Sequence, residues 1–245
     1  MSAKFDPQEL ADLAASLSRV PETESTAQFL LAEAGRFYHQ WKSDRLLRAD
    51  EIPIPLPRKK ALFPANCELE ASFLSFRFRP GDQEHLPSQA DYQVRVEGWL
   101  ITSSAVYELQ DHWRVDTHIE GIALEDGRGV PHEPHPFFHF QRGGHAQDAF
   151  ANGATFIPSA GAAINGDWRG LFQCPGPRMP ALPMDPILAI DFCIGQGDGK
   201  VWGRLRNIPE YFDLIERAQK RLWQPFFKAL REPAFQRLWL GTFVI

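Results

Sequence analysis

Cysteine is scarce in this chain. Only Cys67, Cys174 and Cys193 occur in 245 residues. They are odd in number, widely spaced and without a CxxC pair, so neither a disulfide framework nor a zinc knuckle is expected, and a reducing compartment fits best. Basic residues are outnumbered: 26 Lys and Arg against 31 Asp and Glu give a formal net charge of −5. That excludes a surface that embraces nucleic acid on all sides, while leaving room for a local basic patch. Long apolar runs are missing too, with nothing near the ~18–20 consecutive apolar residues of a membrane-spanning helix. The opening MSAKFDPQELADLAASLSRV carries acids in an amphipathic pattern, where a secretory signal needs a basic start and an unbroken apolar core. The expectation is a cytoplasmic protein with no membrane partner.

Catalytic signatures are missing as well. There is no GxSxG elbow, no HExxH, no DxDxDG loop and no kinase set, and neither an internal repeat nor a low-complexity tract. What is present is a packed globule: 44% hydrophobic residues, 23% charged, with 19 Phe and 7 Trp. We read residues 1–245 as a single α+β domain.

Residues 1–52 form a helical segment. Asp6, Pro7 and Glu9 make a helix start running to about Arg19, and Thr23 to about Leu47 repeats apolar residues at helical spacing. Residues 53–66 are a proline-rich, extended connection whose Arg58, Lys59 and Lys60 read as solvated charges that could touch an acidic partner. Residues 67–142 hold four period-two segments, roughly Glu70 to Arg79, Tyr92 to Thr102, His112 to Ile122 and His135 to Arg142, joined by connections too short for crossover helices. An antiparallel meander of about four strands follows. Residues 143–183 are Gly- and Pro-rich loops. Residues 184–245 return to helices: Asp185 and Pro186 cap a short apolar one, Pro209 opens another through Gln224, and Pro225 breaks it. The helices at both ends are expected to cover the apolar sheet face.

Alternation sorts the strands into two faces. Phe76, Phe78, Val94, Val96, Val115, Ile119, Phe138 and Phe140 share the face to be buried. The other face displays Arg77, Arg79, Arg95, Arg114, Asp116, His118, His135, His139 and Gln141.

The densest chemistry is PHEPHPFFHFQRGGHAQD, which packs four of eight histidines into fourteen residues. His135 and His139 are four apart, which on a strand separates them by ~13 Å at ~3.3 Å per residue; they do not chelate one ion together, and no metal or other cofactor is expected. General acid–base chemistry asks for less, namely one histidine and an orienting carboxylate. His118, His139 and Asp116, flanked by Arg114 and Arg142, compose such a group. Arg77, Arg79 and Arg95, with His135, Gln141 and the aromatics Trp99 and Phe137, suit single-stranded RNA instead. GQGDGK follows an apolar helix rather than a strand, so it reads as a helix stop and turn and not a phosphate loop. Asp191, inside DPILAIDFCIG, reads as that helix's one wet edge.

The order of a strand bearing Asp116, a histidine-bearing strand and a proline-rich return into a helix resembles small bacterial proteins, some grouped with toxin or defence modules. The resemblance carries no residue-by-residue correspondence. Two functions therefore stand. The preferred one is a non-catalytic intracellular binding or accessory module that recognises a protein partner or itself, with Trp239, Leu240, Phe243 and Ile245 of the apolar C-terminus as anchor. The alternative is a metal-independent ribonuclease or other toxin-like phosphodiester-cleaving enzyme built on the His/Asp/Arg group.

Overall fold

The computed structural model describes residues 4–58, 67–81, 87–101, 106–117, 138–142 and 179–233. Lys59, Lys60, His118, Ile119, His135 and the C-terminal anchor residues Trp239, Leu240, Phe243 and Ile245 lie outside them.

Helix α1 (Gln8–Leu17) begins where the Asp6 carboxylate accepts from the Gln8 amide at 3.0 Å. A 3₁₀ turn at Pro21–Thr23 leads into α2 (Glu24–Asp44), which ends at Arg45 in the left-handed conformation, φ 57°. The strands are β1 (Leu47–Pro53), β2 (Cys67–Arg79), β3 (Gln89–Ile101), β4 (Val106–Thr117), β5 (Phe138–Arg142) and the two-residue β6 (Met179–Pro180). They pair antiparallel in chain order. Helices α3 (Pro186–Gly197), α4 (Gly199–Arg206) and α5 (Pro209–Ala229) close the described chain. The class is α+β with a sequential antiparallel meander, as the alternation implies.

The expected face is the buried one. Leu74, Phe76, Phe78, Tyr92, Val94, Val96, Val115 and Phe138 all join the core, while Phe140 packs against it half-buried. The N-terminal helices cover one end, with Phe5 between Trp41 and Phe78 at ring separations of 5.2 and 5.5 Å and Phe37 stacked on Phe76 at 6.2 Å. The C-terminal helices cover the other, where Trp113 meets Phe192 edge-on at 5.7 Å and the Tyr92 hydroxyl donates to the Met184 carbonyl at 2.9 Å. Each large side chain so buried contributes ~1.5–3 kcal/mol.

Four expectations need correction. The sheet has six strands rather than about four, because Leu47–Pro53, read as helix end and linker, is an edge strand, and Met179–Pro180, in the segment read as loops, pairs with β5. A bulge between Ala49 and Ile52, with Glu51 at φ 55°, breaks its alternation. Pro225 does not end α5, which runs on to Ala229: Leu222 and Phe226 on either side are buried, and that packing outweighs the missing amide. Asp191 is no wet edge, being 6% exposed and holding three donors: Trp202 Nε1 at 2.9 Å, Tyr211 Oη at 2.8 Å and Arg206 Nη2 at 2.6 Å. Arg58 is not simply solvated either; its Nε donates to Asp198 at 2.7 Å and its amide to the Gly197 carbonyl at 3.1 Å, fastening the proline-rich connection to the α3–α4 turn.

That turn is the helix stop expected of GQGDGK. Asp198 caps α4 by accepting from the Lys200 and Val201 amides, and the Arg58 hydrogen bond, with those amides, holds its carboxyl below the ordinary range. The amides that a phosphate would need are already committed.

Candidate functional site

The sheet face opposite the helices is polar by construction, since period-two alternation sends every second residue of β2 to β5 there. Register brings the residues together: Arg77 lies opposite Asp91, Gln93 opposite Arg114, Asp116 opposite His139 and Arg114 opposite Gln141. Between them lies a half-open cavity of about 350 Å³, lined by Asp50, Ser75, Arg77, Asp91, Gln93, Arg114, Asp116 and Thr117, with Phe76, Tyr92 and Val115 of the core-facing set also on its lining.

One wall is a buried network. His139 Nε2 lies 2.9 Å from Asp116 Oδ1, and Arg114 Nε lies 3.0 Å from Asp116 Oδ2. Arg114 Nη2 also donates to Gln141 Oε1 at 3.0 Å. The sequence-derived trio of His139, Asp116 and Arg114 therefore converges. Yet His139 is 0% exposed and Gln141 6%, so the imidazole is enclosed and only the Asp116 and Arg114 side of the network reaches the cavity. Asp91 is committed too: its Oδ1 accepts from the Thr117 amide and hydroxyl, both at 3.3 Å, and its Oδ2 from Gln89 Nε2 at 2.7 Å.

The arginines divide into two kinds. Arg95 is held by Glu51 at 2.7 Å and Glu97 at 2.6 Å and lies 5.2 Å over the Phe73 ring. Burial opposes its charge, but those two carboxylates raise its pKa above the ordinary value. Arg77 and Arg79 stand exposed, and among the described residues no side chain accepts from their guanidinium groups. Arg142 ends β5 in register with Trp113.

Sequence reasoning missed the β1 contributors Arg48 and Asp50. Arg48 lies opposite Arg77 in the β1–β2 register, and Asp50 lines the cavity; both sit on the strand that the bulge concealed. Asp91 was missed by one position, because the apolar alternation begins at Tyr92. Among the described residues no group of three His, Cys, Asp or Glu side chains is placed to hold a metal, and no helix is long and apolar enough to cross a membrane.

Comparison of the chain with protein-family models, with curated proteins and with solved structures returns no match in any of the three.

Proposed function

We propose that the protein is a non-catalytic binding or accessory module of the cytoplasm that recognises a protein partner through the polar groove. The observation that carries this reading is the enclosure of His139. A general acid or base must come within ~2.6–3.2 Å of the proton it moves, and an imidazole with no exposed surface, turned onto Asp116, offers substrate no such approach. The His139–Asp116–Arg114 network then acts as a brace that fixes the Arg114 guanidinium at the groove wall. Buried, free Cys193 accords with a reducing compartment.

Ser75→Trp fills the groove floor without touching the brace. Recovery of bound protein from the native cell with wild type, and its loss with Ser75→Trp after nuclease treatment, is the expected result; an unchanged set of partners overturns the reading.

The convergence of His139, Asp116 and Arg114 favours a second reading, the metal-independent ribonuclease. It requires RNA cleavage by the purified protein in chelator that disappears in a folded His139→Gln variant, and cleavage surviving that change removes the site from consideration.

A further inference from the structure

We propose that the Arg48–Arg77–Arg79 end of the groove receives an acidic segment of the protein partner, with a partner carboxylate seated between Arg48 and Arg77. This rests on the binding reading above and names the chemistry of what is bound.

The register sets Arg48 directly opposite Arg77 on neighbouring strands, which places their Cβ atoms ~5 Å apart. Arg79 follows two residues along β2, ~7 Å further on the same face. All three side chains are exposed. Like charges directly opposite one another in a sheet oppose folding, and the Asp91 carboxylate across from Arg77 on the other side offsets only part of that repulsion. The nearby acids are committed elsewhere: Asp91 to Gln89 and Thr117, Asp116 to Arg114 and His139, and Glu51 to Arg95. Of the charged groups at this end only Asp50 also lacks a described partner, and with Asp91, whose donors are all neutral, it sets two carboxylates against three open guanidinium groups. A chain of net charge −5 thus keeps a positive field at one end of its groove. Two neighbouring guanidinium forks match the oxygen pair of a carboxylate.

Charge complementarity alone would also admit a phosphodiester chain, but two features of the face disfavour it. Single-stranded nucleic acid needs aromatic platforms beside the cations, and the half-exposed Trp99 is tied to Glu70 at 2.7 Å. It lies eight residues along β3 from Asp91, the partner of Arg77, or ~27 Å at ~3.4 Å per residue. Phe73 is covered by Arg95. A continuous row of phosphates would also pass Asp50, whereas spaced carboxylates on a peptide avoid it and leave Ser75 and Gln93 to hydrogen-bond the peptide backbone.

The test uses the full chain and a labelled peptide of alternating Glu and Gly, with the same peptide bearing Gln in place of Glu. The Glu peptide should bind, weaken as salt is raised, and lose about tenfold or more in affinity with Arg48→Glu or Arg77→Gln. Arg231→Glu, an exposed change on the far helical end, should leave binding intact. Arg48→Glu should also raise the melting temperature, because it turns a like-charge pair into an opposite-charge one. Loss of binding with gain of stability separates a ligand-receiving arginine from a structural one.

Equal binding of the Gln peptide, or indifference to both groove variants, overturns the inference. So does tighter binding by an oligouridylate of equal charge. If the Glu peptide fails while Ser75→Trp still strips a partner from the cell-derived complex, the inference falls and the binding reading stands. If Ser75→Trp strips nothing, the binding reading falls with it.

Discussion

A half-buried acid and a buried one show how differently single residues can be used on one chain. Asp116 stands between His139 and Arg114 on the sheet, and Asp191 between Trp202, Arg206 and Tyr211 among the helices. Asp191 accepts from a cation and two further donors, and Asp116 is ion-paired with the Arg114 guanidinium, so neither carboxylate is left uncompensated. Removing one partner should therefore cost more than the contact itself contributes. His139→Ala leaves a cavity and exposes one side of Asp116 to loss of its partner, and we expect a destabilisation of about 2–4 kcal/mol in denaturant melts. Burial and the neighbouring Asp191 push the Tyr211 hydroxyl pKa well up, so it stays a donor; Tyr211→Phe should cost about 1–2 kcal/mol, and a neutral result would show that Trp202 and Arg206 satisfy Asp191 by themselves. Of these two networks the sequence disclosed only the first. Alternation put His139, Asp116 and Arg114 on one face because neighbouring strands impose a common period. The partners of Asp191 lie 11, 15 and 20 positions downstream on two other helices, a pairing that no local pattern encodes.

At the level of the element, period two was a sound guide wherever a strand is regular, and it failed where the backbone departs from the pleat. β2 to β5 alternate between core and groove and were legible. β1 reads buried, exposed, buried, exposed, exposed, buried, since the bulge inserts a residue and Glu51 takes positive φ, with its amide turned to the Ser75 hydroxyl at 3.0 Å. That lost strand carried Arg48 and Asp50, which is why half of the groove's free charge was not foreseen. The same strand shows how a sheet edge is guarded: the Arg48 amide donates to the Gln40 side chain at 2.9 Å and the Pro53 carbonyl accepts from Thr26 at 2.6 Å, so α2 occupies bonds that another chain would otherwise take. Irregularity recurs where β2 shifts register between Leu69 and Ala71. A Cβ on Gly98 would come within 2.3 Å of the Glu68 carbonyl oxygen there. Gly98→Ala should therefore lower the melting temperature, whereas Pro225→Ala should raise it. The proline sits inside α5, where its ring and missing amide cost a helix interior up to ~3 kcal/mol, so a gain of about 1–3 kcal/mol is expected.

Across the whole molecule helix α1 is clasped to α3 and α5 by one ion cluster, and its pH dependence follows from its geometry. Arg221 of α5, 7% exposed, meets Glu9 of α1 at 2.9 Å and Asp185, the cap of α3, at 2.5 Å, while its guanidinium lies 5.3 Å over the Phe5 ring. Two carboxylates thus share one buried cation, with Arg217 of α5 more distant from Glu9 at 3.8 Å. The surface pairs that also join these N- and C-terminal helical regions, Arg19 with Glu210 and Arg204 with Glu22, are half-exposed and contribute little by comparison. Arg221→Ala would strand Asp185 and Glu9 together and should cost about 3–5 kcal/mol. Glu9 gives the finer test. Burial is the largest influence on it and raises its pKa above the ordinary 4.5; Arg221 opposes that rise, Asp185 adds to it, and the hydrogen bond from the Asp6 amide restrains it. A carboxyl whose pKa is higher folded than unfolded binds its proton more tightly when folded. It therefore favours the folded state at low pH and withdraws that contribution as pH climbs from 4.5 through the raised folded value. Glu9→Gln keeps the shape and deletes the titration. The melting temperature of Glu9→Gln minus that of wild type should accordingly increase between about pH 4 and pH 7. A difference that falls over this range would mean that Arg221 outweighs burial and that Glu9 strengthens the clasp as an ion.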